Sequence, residues 1–137
     1  MKNYIILFIV VMFGAVSQAQ KTPIKVVFDV TSGNVDVHKS AARHLRLMSE
    51  SYPDSEFELV VYSSAYAMVD NNSSSAGETL RKIVNNKNVS IVVCENTLKR
   101  NKKGKDDLIP GVTTVPDGIY EIVIKQQQGW GYIKEGK

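Results

Sequence analysis

The chain of 137 residues contains a single cysteine, Cys94, and its thiol is the group with the most distinctive chemistry. It ends a mostly apolar, β-branched run, 89–94, which is typical of a buried strand. Asn96 or Thr97 is placed to cap a following helix, whose free N–H groups would stabilise a thiolate and lower the cysteine pKa from its usual ~8.5. The pattern therefore predicts either a reactive thiol or a small buried hydrophobic residue.

A basic run follows the cysteine and adds a possible anion-binding element. The positive charges between 99 and 105 are Lys99, Arg100, Lys102, Lys103 and Lys105. Lys99 and Arg100 come about one turn after the thiol, so we take them as candidate binding residues for an anion beside it. The run is equally compatible with a solvated helix face, because Asp106 and Asp107 follow it and offset part of its field.

Other kinds of site find little support in the sequence. His38 and His44 fall on opposite flanks of the first predicted helix, so they cannot hold a metal together, and we expect both at the surface or its boundary. No phosphate-binding or nucleophile motif is present, and the sequence predicts no metal and no cofactor. A net charge of +3, from 17 basic and 14 acidic residues, argues against a nucleic-acid partner.

The N-terminus has the pattern of a secretory signal peptide. Lys2 precedes an apolar run, 5–13, and the small residues Ser17 and Ala19 form a cleavage site. The run is too short for a membrane anchor, which needs about 20 apolar residues. We therefore expect residues 1–19 to be removed, leaving a periplasmic or secreted protein with no membrane association. An unpaired thiol is unusual in such an oxidising compartment, which favours a role for Cys94.

The remaining residues, 20–137, alternate strands with helices. The predicted strands are 24–30, 57–62, 89–94, 112–115 and 130–133. Predicted helices begin near Asp36, at a capping box formed by Ser75 and Glu78, near Thr97, and after Gly118. This alternation predicts one α/β domain, a three-layer α/β/α fold with a mainly parallel sheet of about five strands. Ligands of such sheets gather at the carboxyl ends of the strands, where Cys94 stands.

Several segments resemble the DsrE/DsrF-like family of sulfur-relay proteins, and its exported branch in particular. The segment from Cys94 to Arg100 resembles the family's C-x-x-x-L-x-R motif. Further similar segments, in the same order as in the family, are 25–33, 58–62, 107–112, 115–118 and 127–133. The resemblance implies a five-stranded parallel sheet, assembly into homo- or hetero-oligomers such as trimers and hexamers, and a persulfide carried on the cysteine that matches Cys94.

Two functions follow as expectations. In the first, an exported DsrE-like protein binds or relays sulfane sulfur through Cys94, with a donor or acceptor protein as partner; it would be a sulfur-transfer protein rather than a multi-turnover enzyme. In the second, the chain is a non-catalytic oligomeric protein that binds a small ligand. Cys94 then only packs, and Tyr66 and Met68 line a pocket or fill the core.

Overall fold

The structure is a computed structural model that describes residues 22–136, so the predicted signal peptide lies outside the described residues. Strands and helices alternate along the chain. The strands are β1 (Lys25–Val30), β2 (Glu56–Val61), β3 (Val89–Cys94), β4 (Thr113–Val115) and β5 (Gly131–Glu135). The helices are α1 (Val35–Ser51), α2 (Gly77–Ile83), α3 (Glu95–Arg100) and α4 (Gly118–Gln127), and short 3₁₀ helices cover Ser63–Met68 and Lys105–Asp107.

The five strands form one sheet in the order β4-β3-β2-β1-β5, with every neighbouring pair parallel. Helices cover both faces of the sheet, which confirms the predicted three-layer α/β/α fold. The first three crossovers move along the sheet in one direction, and the β4-to-β5 crossover returns past β1. Because parallel crossovers are right-handed, this reversal places α4 on the opposite face from α1.

The two faces of the sheet bury cores of different size. On the larger side α1 and α2 cover the sheet, and Phe28 and Phe57 pack with ring centroids 6.5 Å apart. The smaller core lies under α4 and is formed by Val27, Val60, Val92 and Ile122. Since side chains alternate along a strand, Cys94 points to the same face as Val92, towards α4.

Three sequence expectations about helices are wrong. Helix α1 begins at Val35, because Asn34 caps it by accepting the Asp36 N–H at 2.8 Å. The predicted capping box of α2 does not form: its N-cap is Ala76, and the Ser75 hydroxyl is buried without a partner. The sequence also predicts that Ile119, Ile122, Val123 and Gln126 form an inward face of α4; of these four only Ile122 is buried, whereas Ile119 and Val123 lie at the surface.

His38 also departs from expectation, because it is 2% exposed. Its Nε2 atom donates to the carbonyl oxygen of Ser32 at 2.7 Å, which satisfies the ring where α1 covers the end of β1. His44 is half-buried and pairs through Nδ1 with Glu135 at 2.8 Å. Within residues 22–136, no helix combines the length and apolar character needed to cross a bilayer.

Candidate functional site

Cys94 lies at the carboxyl edge of the sheet, where β3 passes directly into α3. Its backbone is extended (φ −67°, ψ 122°), and it serves as the N-cap of the helix. The expectation that Asn96 or Thr97 caps this helix is therefore wrong: α3 begins at Glu95, and both residues belong to its first turn. Their backbone N–H groups have no partner in the preceding turn of helix, so they face the sulfur.

A second helix begins beside the same sulfur atom. Cys94 pairs with Val115 in the sheet, so the chain after β4 runs next to the thiol, and the Pro116 carbonyl oxygen lies 4.0 Å from Sγ. Asp117 caps α4 by accepting the N–H groups of Ile119 and Tyr120 at 2.9 and 3.1 Å. The first N–H of α4, that of Gly118, is left to donate to the sulfur.

The thiol is surrounded by donors that favour its charged form. Burial raises the pKa of Cys94, but hydrogen bonds from the backbone N–H groups of Gly118, Thr97 and Asn96 and from the Thr97 hydroxyl outweigh that effect. The pKa of Cys94 is therefore lower than its ordinary value. A low pKa raises the fraction of nucleophilic thiolate at neutral pH.

The Thr97 hydroxyl is held in place by its other contacts. Thr97 is fully buried, and its Oγ1 accepts the backbone N–H of Ser63 at 3.0 Å. Arg100 Nη2 approaches the same oxygen at 3.5 Å. Both N–H groups donate to lone pairs of Oγ1, so the single hydrogen of the hydroxyl is free to point at the sulfur.

An open cleft of about 460 Å³ leads to the thiol. All five candidate residues from the sequence line it, together with four that the sequence did not suggest. The predicted residues are Cys94, Asn96, Thr97, Lys99 and Arg100, and the additional ones are Tyr62, Asp117, Gly118 and Ile119. The cap signal of Asp117 before Gly118 was visible in the sequence, but nothing there placed it beside Cys94.

Some residues of the basic run pair with acidic side chains, and others line the cleft. Lys103 pairs with buried Asp70 at 2.7 Å, and Lys105 lies 3.9 Å from Glu95, so both turn away from the thiol. Lys99 and Arg100 face the cleft and form no salt bridge within the described part of the chain. The cleft thus combines a thiolate-favouring cysteine with two available cations. Across residues 22–136, no three His, Cys, Asp or Glu side chains are grouped to hold a metal ion.

Fold and site together define a three-layer α/β/α protein with a single thiol at the carboxyl edge of a parallel sheet. The sequence matches no family model and no curated protein. Among solved structures, it is similar to a protein of unknown function, MTH1491, from Methanobacterium thermoautotrophicum, with 25% identity and a TM-score of 0.74 over 81% of this chain and 98% of that one.

Two further solved structures share the fold. The conserved protein of unknown function BT1422 from Bacteroides thetaiotaomicron is 13% identical, with a TM-score of 0.62 over 80% of this chain and 93% of that one. The ychN protein from E. coli is 14% identical, with a TM-score of 0.62 over 82% of this chain and 97% of that one. At these identities the two likenesses concern the fold alone.

Proposed function

We propose that this protein is an exported DsrE-like protein that binds or relays sulfane sulfur as a persulfide on Cys94. The observation that carries the proposal is the convergence of two helix starts on one sulfur atom, with donors from Asn96, Thr97 and Gly118. The resemblance of the segment 94–100 to the sulfur-relay motif supports the same reading. Lys99 and Arg100 would attract an anionic sulfur donor to the cleft.

The proposed transfer is a thiol–persulfide exchange. The Cys94 thiolate attacks the outer sulfur of a donor persulfide, a new S–S bond forms at Cys94, and the donor's S–S bond breaks. The donor leaves as a thiolate with the electron pair of the broken bond, and the proton of the outer sulfur moves with that sulfur. No external oxidant or reductant is needed. Attack on Cys94 persulfide by an acceptor thiolate reverses the process and passes the sulfur on.

A packing role for Cys94 is the second candidate, because the residue is only 6% exposed. In that case the protein is a non-catalytic, oligomeric small-ligand-binding protein that uses the same cleft. Met68 is fully buried in the larger core, and neither Tyr66 nor Met68 lines the Cys94 cleft, so those two residues contribute no pocket there.

Export and assembly complete the proposal. The segment 1–19 supports export, and expression of the full chain in a bacterium should yield a periplasmic protein that begins at Gln20.

Exposed apolar side chains on α4 and β5 support a homo-oligomer, with a trimer or hexamer implied by the family resemblance. They are Ile119, Tyr120, Val123, Tyr132 and Ile133. Sedimentation equilibrium of the processed chain tests the assembly, and a monomer would contradict it.

The test of the function is loading with sulfur. The folded protein is incubated with a small-molecule persulfide or polysulfide, freed of donor, and analysed by intact mass before and after dithiothreitol. We expect one added sulfur atom, removed by dithiothreitol and absent from Cys94→Ser. The packing role predicts no adduct and a thiol that iodoacetamide does not alkylate in the folded state. It also predicts a lower melting temperature for Cys94→Ser than for Cys94→Ala, since only serine buries a new polar group.

A further inference from the structure

The polar residues beside the cleft form a cluster around the carboxylate of Asp29, at the end of β1. Asp29 is 4% exposed and accepts hydrogen bonds from the Tyr132 hydroxyl at 2.6 Å and the Lys134 ammonium at 3.1 Å. Lys134 also donates to Thr31 and lies 5.8 Å from the ring centroid of Tyr62. We call these residues the Asp29 cluster (Asp29, Tyr62, Tyr132, Lys134). They come from β1, from β5 and from the end of β2, which are neighbours in the sheet, and they lie on the face covered by α4.

Tyr62 connects the Asp29 cluster to the thiol cleft. Burial, followed by the charge of Asp29 and a hydrogen bond to it, raises the pKa of Tyr62 to about 12, so its hydroxyl remains a neutral donor at neutral pH. The ring of the same residue lines the cleft beside Cys94. The hydroxyl of Tyr62 therefore interacts with the Asp29 carboxylate, while the residue also forms part of the cleft wall.

Gly118 lies directly against that ring. A Cβ atom added at Gly118 would come within 3.3 Å of three Tyr62 atoms, Cβ, Cγ and Cδ1, which is closer than ordinary van der Waals contact. Gly118 does not have a positive φ, so its glycine is not required by an unusual backbone conformation. The lack of a side chain instead allows the backbone to approach the ring closely. The start of α4 is thus seated on Tyr62, and the N–H of Gly118 reaches the sulfur from there.

We propose that Tyr62 is a positioning residue for Cys94: its ring, anchored by Asp29, sets how closely the Gly118 N–H approaches the sulfur. The inference rests on the proposed role of Cys94 as a thiolate and deepens it. Tyr62 itself donates nothing to the reaction. The role requires a glycine at position 118, because a methyl group there would push the first turn of α4 away from the ring and from the sulfur.

The charged groups around the thiol allow a clean test of this role. Those facing it are Lys99 and Arg100 from α3 and Asp117 from α4, with Tyr62 as the remaining titratable group. Tyr62→Phe alters none of these charges, since Tyr62 is neutral well below pH 12. A change in the titration of Cys94 in this variant therefore reports a change in geometry.

The experiment measures the rate of alkylation of folded protein by iodoacetamide against pH, and the midpoint gives the pKa of Cys94. We expect Gly118→Ala to raise the midpoint by about one unit, the size expected when one hydrogen bond to a charged group is lost. Tyr62→Phe raises it by less, because the ring remains while its anchor is lost. Tyr62→Ala removes two of the three crowded atoms, Cγ and Cδ1, and keeps Cβ, so Gly118→Ala should shift the midpoint less in the Tyr62→Ala background than in wild type.

Equal alkylation midpoints for wild type, Tyr62→Phe and Gly118→Ala would overturn the proposal. It would also be overturned if Gly118→Ala shifted the midpoint as much in the Tyr62→Ala background as it does in wild type. Where Tyr62→Ala does not fold, the Tyr62→Phe midpoint decides: an unchanged value contradicts a positioning role. Alkylation needs no sulfur donor. The positioning role can therefore fail while Cys94 still takes up sulfur, and it can hold even if Cys94 takes up none.

Discussion

The Thr97 hydroxyl accepts the backbone N–H of Ser63 at 3.0 Å and so fixes the 3₁₀ helix after β2 against the first turn of α3. Ser63 holds a left-handed backbone conformation, φ 57°, which a serine rarely adopts without a compensating contact. Hydrogen bonding from the same hydroxyl also helps to lower the pKa of the Cys94 thiol. One buried side chain therefore both supports a strained turn and stabilises the thiolate.

Replacement of this hydroxyl should affect stability and reactivity together. We expect Thr97→Val to lower the free energy of unfolding by about 1 kcal/mol, since the Ser63 N–H loses its partner, and to raise the pKa of Cys94 because the sulfur loses a donor. Urea unfolding and the pH profile of alkylation measure the two effects. Thr97→Ser is the matched control, because it keeps the hydroxyl. A Thr97→Val protein with the wild-type alkylation profile would show that the hydroxyl does not act on the sulfur.

Asp70 should make stability depend on acid pH. Hydrogen bonds from Lys103, from the backbone of Asn72 and from Ser73 keep its pKa below the ordinary value of 3.8, although burial opposes them. Its contribution is thus present above that value and is lost as the pH falls through the lowered pKa. We expect Asp70→Asn to lower the free energy of unfolding by about 1 to 3 kcal/mol at pH 7.

Urea unfolding at pH 7 and in strong acid checks this expectation, because the difference between Asp70→Asn and wild type should shrink in acid. The control is Glu78→Gln, which removes an exposed ion pair with Lys82 and should change little. An Asp70→Asn defect of the same size in acid and at neutral pH would contradict the ionic origin of the effect.

Glu58 should give the opposite dependence on pH. It is 4% exposed, one of its oxygens pairs with Lys125 at 2.9 Å, and the other is buried without a partner. Burial, reinforced by nearby Glu121 and opposed by Lys125, raises its pKa above 4.5. The folded state therefore holds this proton more tightly, and the stability it provides is present below pH 4.5 and lost as the pH rises through the folded pKa.

We expect wild type to lose stability relative to Glu58→Gln as the pH rises above 4.5, because the glutamine cannot ionise. Urea unfolding across that range measures the difference, with Glu56→Gln as the control for an exposed partner of Lys25. A difference that stays constant with pH would mean that Glu58 titrates alike in the folded and unfolded chains.

The local pattern of the sequence was enough to predict the layers of the fold and the thiol's place at a strand end. The run 89–94 is apolar except for Ser90, and the observed β3 has the same bounds. Helix starts were less predictable, because two residues that favour the N-cap position lie within a few positions of each other. These pairs are Asn34 and Asp36 before α1, and Ser74 and Ser75 before α2. In the structure the Ser74 hydroxyl, not that of Ser75, accepts an N–H from the turn before α2.

The wall of the cleft opposite α3 could not be predicted, because it depends on strand order. Gly118 reaches Cys94 only because β4 lies beside β3, and Tyr62 reaches Gly118 only because β2 lies on the other side of β3. Neither adjacency leaves a mark in the spacing of residues along the chain. The residues after Cys94 were found because they are its neighbours in sequence as well as in space.

The intact mass of the folded, processed protein after exposure to a persulfide donor measures most directly whether Cys94 carries sulfane sulfur. The proposed function predicts a single added sulfur atom per chain that dithiothreitol removes and that Cys94→Ser never acquires. A wild-type mass that stays unchanged at every donor concentration, in protein whose folded thiol also resists iodoacetamide, would contradict it.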